Sequence, residues 1–402
     1  MTSLWLAWRM TRRYRVRAAL AVVGVAVIGA LLFDMLLLSR GLLDSFADLL
    51  RSGGFDVRVV ADEGIPFARS PIAGSARLAA DLRALPEVGQ VVLIRIARGR
   101  AQVDGQPPAG VTLIGTSDTG GSGWTMVKGD HLPSQWSPAD GCAVVISRPL
   151  AAELDAGPGS RIRISARLEG IRSALPTTEC RVSGVANFAF APTNEYAVAT
   201  AMTTLQDALG STESPEADLV LVASRPDAGS AAAVRAIKRI RPDLRTYSND
   251  DVVAQFNQNG FAYFRQISLV LSSLTMVFAF LLVATLLTVS VNQRLGEIAA
   301  LRALGIGRAR IASLLLWESA LLVGGGALLA LPLGGVLAMA LDRLLREMPG
   351  LPERLHFFVF QWRAVALHVA LFAATAAAAA AYPVWLTSRL PIAATLRREV
   401  VG

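Results

Sequence analysis

The sequence predicts a membrane protein with four transmembrane helices plus a large α+β extracytoplasmic domain of two lobes, inserted between spans 1 and 2. Three observations carry that prediction. Of 402 residues 53% are hydrophobic, too apolar for one soluble domain, yet 17% are charged, too many for a bundle of spans alone. Four stretches supply the roughly 20 apolar residues that a helix needs to cross about 30 Å of hydrocarbon. Between the first two lie more than two hundred residues of soluble composition.

In chain order, residues 1–17 carry Leu4, Trp5 and Trp8 among Arg9, Arg12, Arg13, Arg15 and Arg17, the pattern of an amphipathic helix at the inner membrane surface. Residues 18–40 form the first span and the start of a stalk, with Asp34 near the outer end of the apolar run. That run is longer than a signal-peptide core, and Leu37-Leu38-Ser39-Arg40-Gly41 lacks a small-x-small cleavage pattern, so it reads as an uncleaved anchor.

Residues 41–262 form the soluble domain. Alternation and apolar runs predict strands at 55–60, 90–97, 111–115, 143–147, 161–165, 180–185 and 219–223, and helices at 72–85, 149–154, 203–209 and 228–240. Two strand-helix-strand patterns, one beginning at Phe55 and one beginning at Leu219 and ending in a strand near Leu244 to Tyr247, look like halves of one lobe. The second lobe, rich in short strands, is expected as an insert at about 117–205. The two cysteines, Cys142 and Cys180, both fall in that insert, and an even count in an oxidising compartment fits a disulfide as well as it fits two buried thiols. The flanks 41–53 and 250–265 carry Phe46, Leu49 and Leu50 and Phe256, Phe261 and Phe264, which suit either a helical stalk or a pair of interfacial anchors.

The second span is expected at 263–291, a charged link at 292–310, the third span at 311–341 with Glu318 and Pro332, a short outer loop at 342–363, the fourth span at 364–385 with His368, and a tail at 386–402. Arginines crowd the N-terminus, the 292–310 link and the tail, which places both termini in the cytoplasm by the positive-inside rule. The 342–363 loop also holds four arginines, a departure from that pattern. A net charge of +8 concentrated beside spans fits a membrane surface and argues against nucleic acid. Asp34 and Glu318 both lie within about two turns of a predicted span end, where snorkelling is cheap. For Asp34 that reading is preferred; Glu318 equally suits an interhelical partner.

Catalytic chemistry is hard to place. The three histidines, His131, His356 and His368, are scattered, and neither His-Glu-x-x-His nor Cys-x-x-Cys occurs. Asp118-Thr119-Gly120 matches an aspartic-protease tripeptide, but that chemistry needs two such carboxylates and the sequence has no second copy. A Gly-x-x-x-x-Gly-Lys-[Ser/Thr] phosphate loop is missing from these residues. No metal site and no catalytic residue is expected.

One short segment stands out. In Arg294-Leu-Gly-Glu-Ile-Ala-Ala-Leu-Arg-Ala-Leu-Gly305, the residues Ile298, Leu301 and Leu304 make a brief apolar stripe, and Glu297 and Arg302, five apart, are placed to meet partner groups separately. Gly305 and Gly307 are expected to end the helix. This segment resembles the Arg-x-x-Glu-Ile-x-x-x-(Arg/Lys)-Ala-(Leu/Ile)-Gly pattern of the MacB, LolC and FtsX superfamily of ABC permeases. Tyr382-Pro383 through Ser388-Arg389-Leu390-Pro391, and the segments Val144–Leu154, Gly159–Ile164 and Arg181–Val185 in the insert, are similar to that family too.

The resemblance implies a type VII ABC permease without a fused ATPase, working as a homodimer or heterodimer. Residues Arg294, Glu297, Ile298, Leu301, Arg302, Leu304 and Gly305 would form a helix that couples to a separate cytoplasmic ATPase, which would itself bind ATP and Mg; this chain would carry no cofactor. The implied action is mechanotransmission, with ATP hydrolysis moving the external domain to export or extract a substrate in the bacterial inner membrane, with or without a periplasmic adaptor. The alternative within the resemblance is an FtsX-like signalling module that activates a cell-wall hydrolase. The size of the external domain favours transport.

Overall fold

The computed structural model describes residues 3–13, 15–62, 70–118, 120, 123–133, 141–167, 177–192, 194–210, 216–260, 262–293, 296, 298, 304–346 and 356–389. Arg294, Glu297, Leu301 and Arg302 of the charged link, and the tail from residue 390, lie outside them. The chain divides into two compact units, one built from Met1–Leu42, Phe261–Leu345 and His356–Gly402, the other from Leu43–Gly260 and Arg346–Leu355.

The chain opens with helix α1 (Ser3–Arg13), its Arg9 guanidinium lying over the Trp5 ring at 4.8 Å. Helix α2 then runs unbroken from Arg15 to Ser52. At 1.5 Å per residue its 38 residues extend about 57 Å, nearly twice the hydrocarbon thickness. The first span and residues 41–52 of its flank are therefore parts of one helix.

The soluble unit contains β1 (Val57–Val60), α3 (Ser75–Arg83), β2 (Val88–Gln102), β3 (Ala109–Thr116), β4 (Trp124–Gly129), β5 (Cys142–Ser147), α4 (Arg148–Glu153), β6 (Arg161–Arg167), β7 (Thr178–Phe188), β8 (Ala197–Ala201), α5 (Met202–Leu209), β9 (Leu219–Ser224), α6 (Ser230–Ile240), β10 (Arg245–Ser248) and α7 (Asn249–Gln255). One lobe is the antiparallel sheet β10-β1-β9-β2, and α3 and α6 supply Leu78, Leu82, Ala233 and Ile237 to its core. The two strand-helix-strand patterns interleave in it, since β9 lies between β1 and β2.

The second lobe closes on itself. Pairings run β2–β3, β3–β8, β8–β5, β5–β7, β7–β6 and β6–β2, a six-stranded ring in which β3/β8 and β5/β7 are parallel. Its core gathers Leu113, Val144, Ile146, Ile162, Ile164, Val182 and Leu205. The long strand β2 belongs to both lobes, pairing with β9 from Val88 to Ile94 and with β6 from Arg98 to Gln102. The barrel core also takes in Ala101 and Val111, so this lobe begins before the boundary expected at 117. A continuous strand hides that boundary, because a shared strand changes partners without any break in its own alternation.

After α7 a π-helical turn at Phe256–Gly260 leads to α8 (Ala262–Asn292), α9 (Arg308–Arg346, with Pro332 inside it) and α10 (Trp362–Arg389). With α2 these are four helices long and apolar enough to cross a membrane. Small residues let α2 and α9 approach closely. A Cβ on Gly326 would lie 2.5 Å from the Val25 side chain, one on Gly29 2.7 Å from Ala330, and one on Gly334 3.2 Å from the Ala30 carbonyl. Gly326, Ala330 and Gly334 recur every four residues, one stripe along α9.

Candidate functional site

Within the charged link, Gly296 and Ile298 are helical, and Ile298 is buried against Val291 of α8 and Ile311 and Leu315 of α9, with Val384 of α10 beside them. Leu304, expected on the same apolar stripe, is 81% exposed. The stripe is therefore split: Ile298 packs the segment against the ends of three spans, and Leu304 is left exposed. Gly305 takes a left-handed φ of 87°, a conformation that ends a helix and suits glycine. The next helix starts at once, with the Gly307 carbonyl accepting from the Arg310 and Ile311 amides.

Among the spans, Asp34 is only 1% exposed, and neither carboxyl oxygen has a hydrogen-bond partner among the described residues. The snorkelling expected for it does not occur. The helix continues 18 residues past it to Ser52, and its neighbours Phe33 and Leu37 are packed against Ala338 and Ala364. Glu318 is also buried, and it accepts a hydrogen bond from Ser290 of α8 at 3.1 Å, an interhelical contact. His368 is fully buried between the rings of Phe33 and Phe372, with Nε2 at 3.3 Å from the Ala327 carbonyl.

In the soluble unit the helix ends converge on one polar knot. Asn249 opens α7 and is 7% exposed. Its amide donates to the carbonyls of Phe55 at 2.9 Å and Leu50 at 3.4 Å, its backbone N–H donates to Asp56, and its side-chain oxygen accepts from Arg58 of β1. Burial pushes the Arg58 guanidinium down to about 10, against the pull of nearby Asp56. Asp56 in turn accepts from the Ser224 amide and hydroxyl on β9. A capping box of Ser248 and Asp251 fixes the start of α7, and Phe46 of α2 stacks on Phe256 with ring centroids 4.5 Å apart. The end of α2, the start of α7 and strand β1 are thus tied through one side chain. Phe46 and Phe256 were legible in the sequence; Arg58 and Asn249 were not, because a charge in a strand ordinarily marks an exposed face, whereas all of Val57–Val60 is buried.

Cys142 and Cys180 are disulfide-bonded across the parallel pair β5/β7, where they are register partners. Asp118 sits in a tight turn, accepting from the Gly120 amide at 3.0 Å. Among the described residues no group of His, Cys, Asp and Glu is arranged to hold a metal ion.

Two family models match the chain: the MacB-like periplasmic core domain over residues 18–240 and the FtsX-like permease C-terminal region over residues 269–392. The chain belongs to the MacB/LolC/FtsX superfamily of ABC transporter permeases, as a multi-pass membrane protein with its α/β domain between the first two spans. Members of this family are generally non-catalytic transporter components that act in the context of an ATPase partner.

Similar solved structures include the periplasmic region of MacB from Actinobacillus actinomycetemcomitans, at 14% identity over 51% of this chain and 95% of that one, TM-score 0.39. The extracellular domain of the noncanonic ABC-type transporter YknZ from Gram-positive bacteria is 14% identical over 48% of this chain and 98% of its own length, TM-score 0.33. A domain of a putative permease protein from Porphyromonas gingivalis is 12% identical over 48% and 88%, TM-score 0.32. No curated protein matches the chain.

Proposed function

We propose that this chain is a permease subunit that couples ATP hydrolysis by a separate cytoplasmic ATPase to movement of its extracytoplasmic domain, driving export or extraction of a substrate from the periplasm or outer leaflet. ATP and Mg belong to that partner, and the permease works as a pair, of identical or sister copies, in a bacterial inner membrane with both termini in the cytoplasm. The observation that carries this reading is the unbroken helix from Arg15 to Ser52. Its last turns, in the soluble unit, are tied to the start of α7 and to strand β1 by Asn249. Its counterpart within the spanning unit is Ile298, which fastens the charged link to α8, α9 and α10, so that a push on Glu297 and Arg302 moves the spans rather than a loose loop.

The test is charge reversal at Glu297 or Arg302 in the purified complex with its ATPase. Coupled ATP turnover falls about tenfold, equivalent to roughly 1.4 kcal/mol of lost docking, while membrane insertion and the yield of folded permease stay the same. Unchanged coupled turnover in both variants overturns the coupling role.

A further inference from the structure

The outer wall of the barrel carries an array of arginines that the coupling reading does not use. Strand register puts them on one face. Arg98 lies directly opposite Arg167, and Arg161 directly opposite Arg181, while Arg100 faces Ser165 and Arg163 faces Glu179. The alternate residues Ala101, Ile162, Ile164 and Cys180 point the other way, into the barrel core. All six arginines are exposed.

Like charges directly across a strand pair destabilise the sheet, and here two such pairs occur, one at each end of β6. Only part of the charge is matched on the face itself, by Asp104 at 2.5 Å from Arg163 and Glu179 at 3.6 Å from Arg161. Arg98, Arg100, Arg167 and Arg181 make no ion pair among the described residues. Neighbouring positions on such a face are about 4.8 Å apart between strands and about 6.8 Å apart along one, so the guanidinium groups form a close lattice suited to multiple bidentate contacts. On the same face, next to Arg98 along β2, Ile96 is 40% exposed.

We propose that this barrel face docks an acidic surface of a folded extracytoplasmic protein. Two features select a protein over a phosphate-bearing lipid surface. The carboxylates of Asp104 and Glu179 within the array repel a dense phosphate layer but fit between the spaced carboxylates of a protein. The exposed Ile96 adds the apolar contact that, with arginine, characterises protein interfaces. The inference is independent of ATPase coupling, because it concerns binding alone and its readout needs no nucleotide.

The experiment uses the full chain in nanodiscs of zwitterionic lipid, with fluorescent poly-L-glutamate as the carboxylate probe and vesicles containing phosphatidylglycerol as the phosphate probe. The wild type binds poly-L-glutamate in a salt-sensitive way. Arg98→Glu/Arg167→Glu weakens binding roughly tenfold or more, whereas Arg77→Glu/Arg235→Glu, the same charge change on exposed positions of α3 and α6, changes it less than about twofold. All four sites are exposed, so melting temperatures close to wild type are expected and are checked in each variant. Equal losses in the two double variants overturn the proposal, as does binding to the anionic vesicles without binding to poly-L-glutamate.

Discussion

Asn249 shows how much of the soluble unit depends on single side chains. Its amide and oxygen together serve Leu50, Phe55 and Arg58, and Arg58 is a buried cation whose burial already disfavours its charge. Replacing Asn249 with alanine leaves two carbonyls and a guanidinium short of a partner. An unsatisfied buried polar group costs about 1–3 kcal/mol, so Asn249→Ala is expected to lower the melting temperature of the purified chain and to raise hydrogen exchange at the end of α2 and the start of α7; protection equal to wild type at both would contradict this account. None of these contacts was readable beforehand. The partners of Asn249 lie 191 to 199 residues away in sequence, and an asparagine after a serine looks like any helix start. Asp34 failed for a related reason: its exposure depends on how far the helix continues and what packs beside it.

At the scale of elements, the four spans and most strands follow from apolar length and alternation. Two strands escaped. In β4 only Trp124 is buried and the pattern fades outward, and β8 is Ala-Val-Ala-Thr-Ala, whose small residues have weak strand preference although four of the five are buried. Helix pairing also has a sequence trace, since Gly326, Ala330 and Gly334 mark one stripe of α9. Their role emerges only with the partner helix in place, because the space a Cβ at Gly326 needs is already filled by Val25 and the Val22 carbonyl. Overfilling a packed site costs about 1–3 kcal/mol. Gly326→Val should therefore unfold earlier in a denaturing-detergent titration, while Gly335→Val, at a position with open space around it, should unfold like the wild type. Equal behaviour of the two variants would remove the close α2–α9 contact from the account.

The whole molecule adds a constraint that no element carries. The proposed function requires that four crossings put both termini on one side and the two-lobed domain on the other. Cysteines introduced at Ala300 and at Ser230 should react with a membrane-impermeant maleimide from opposite sides of the membrane, Ser230→Cys in intact cells and Ala300→Cys only after permeabilisation. Labelling of both in intact cells would break the topology and the coupling proposal with it.

By itself the sequence determined the class of protein: the number of spans, the soluble domain between the first two, the charged link before the third, and the family pattern within that link. These are local properties, set by runs of apolar residues, by turn residues and by short spacings, and they survive without knowledge of what touches what. Only the tertiary structure decided that the second lobe closes as a six-stranded barrel sharing β2 with the first, that Ile298 and Leu304 face different surroundings, that Asp34 is buried, and that six arginines meet on one wall. Each of these depends on strand register or helix contact between residues far apart in the chain, and long-range pairing is the information that a one-dimensional pattern does not contain.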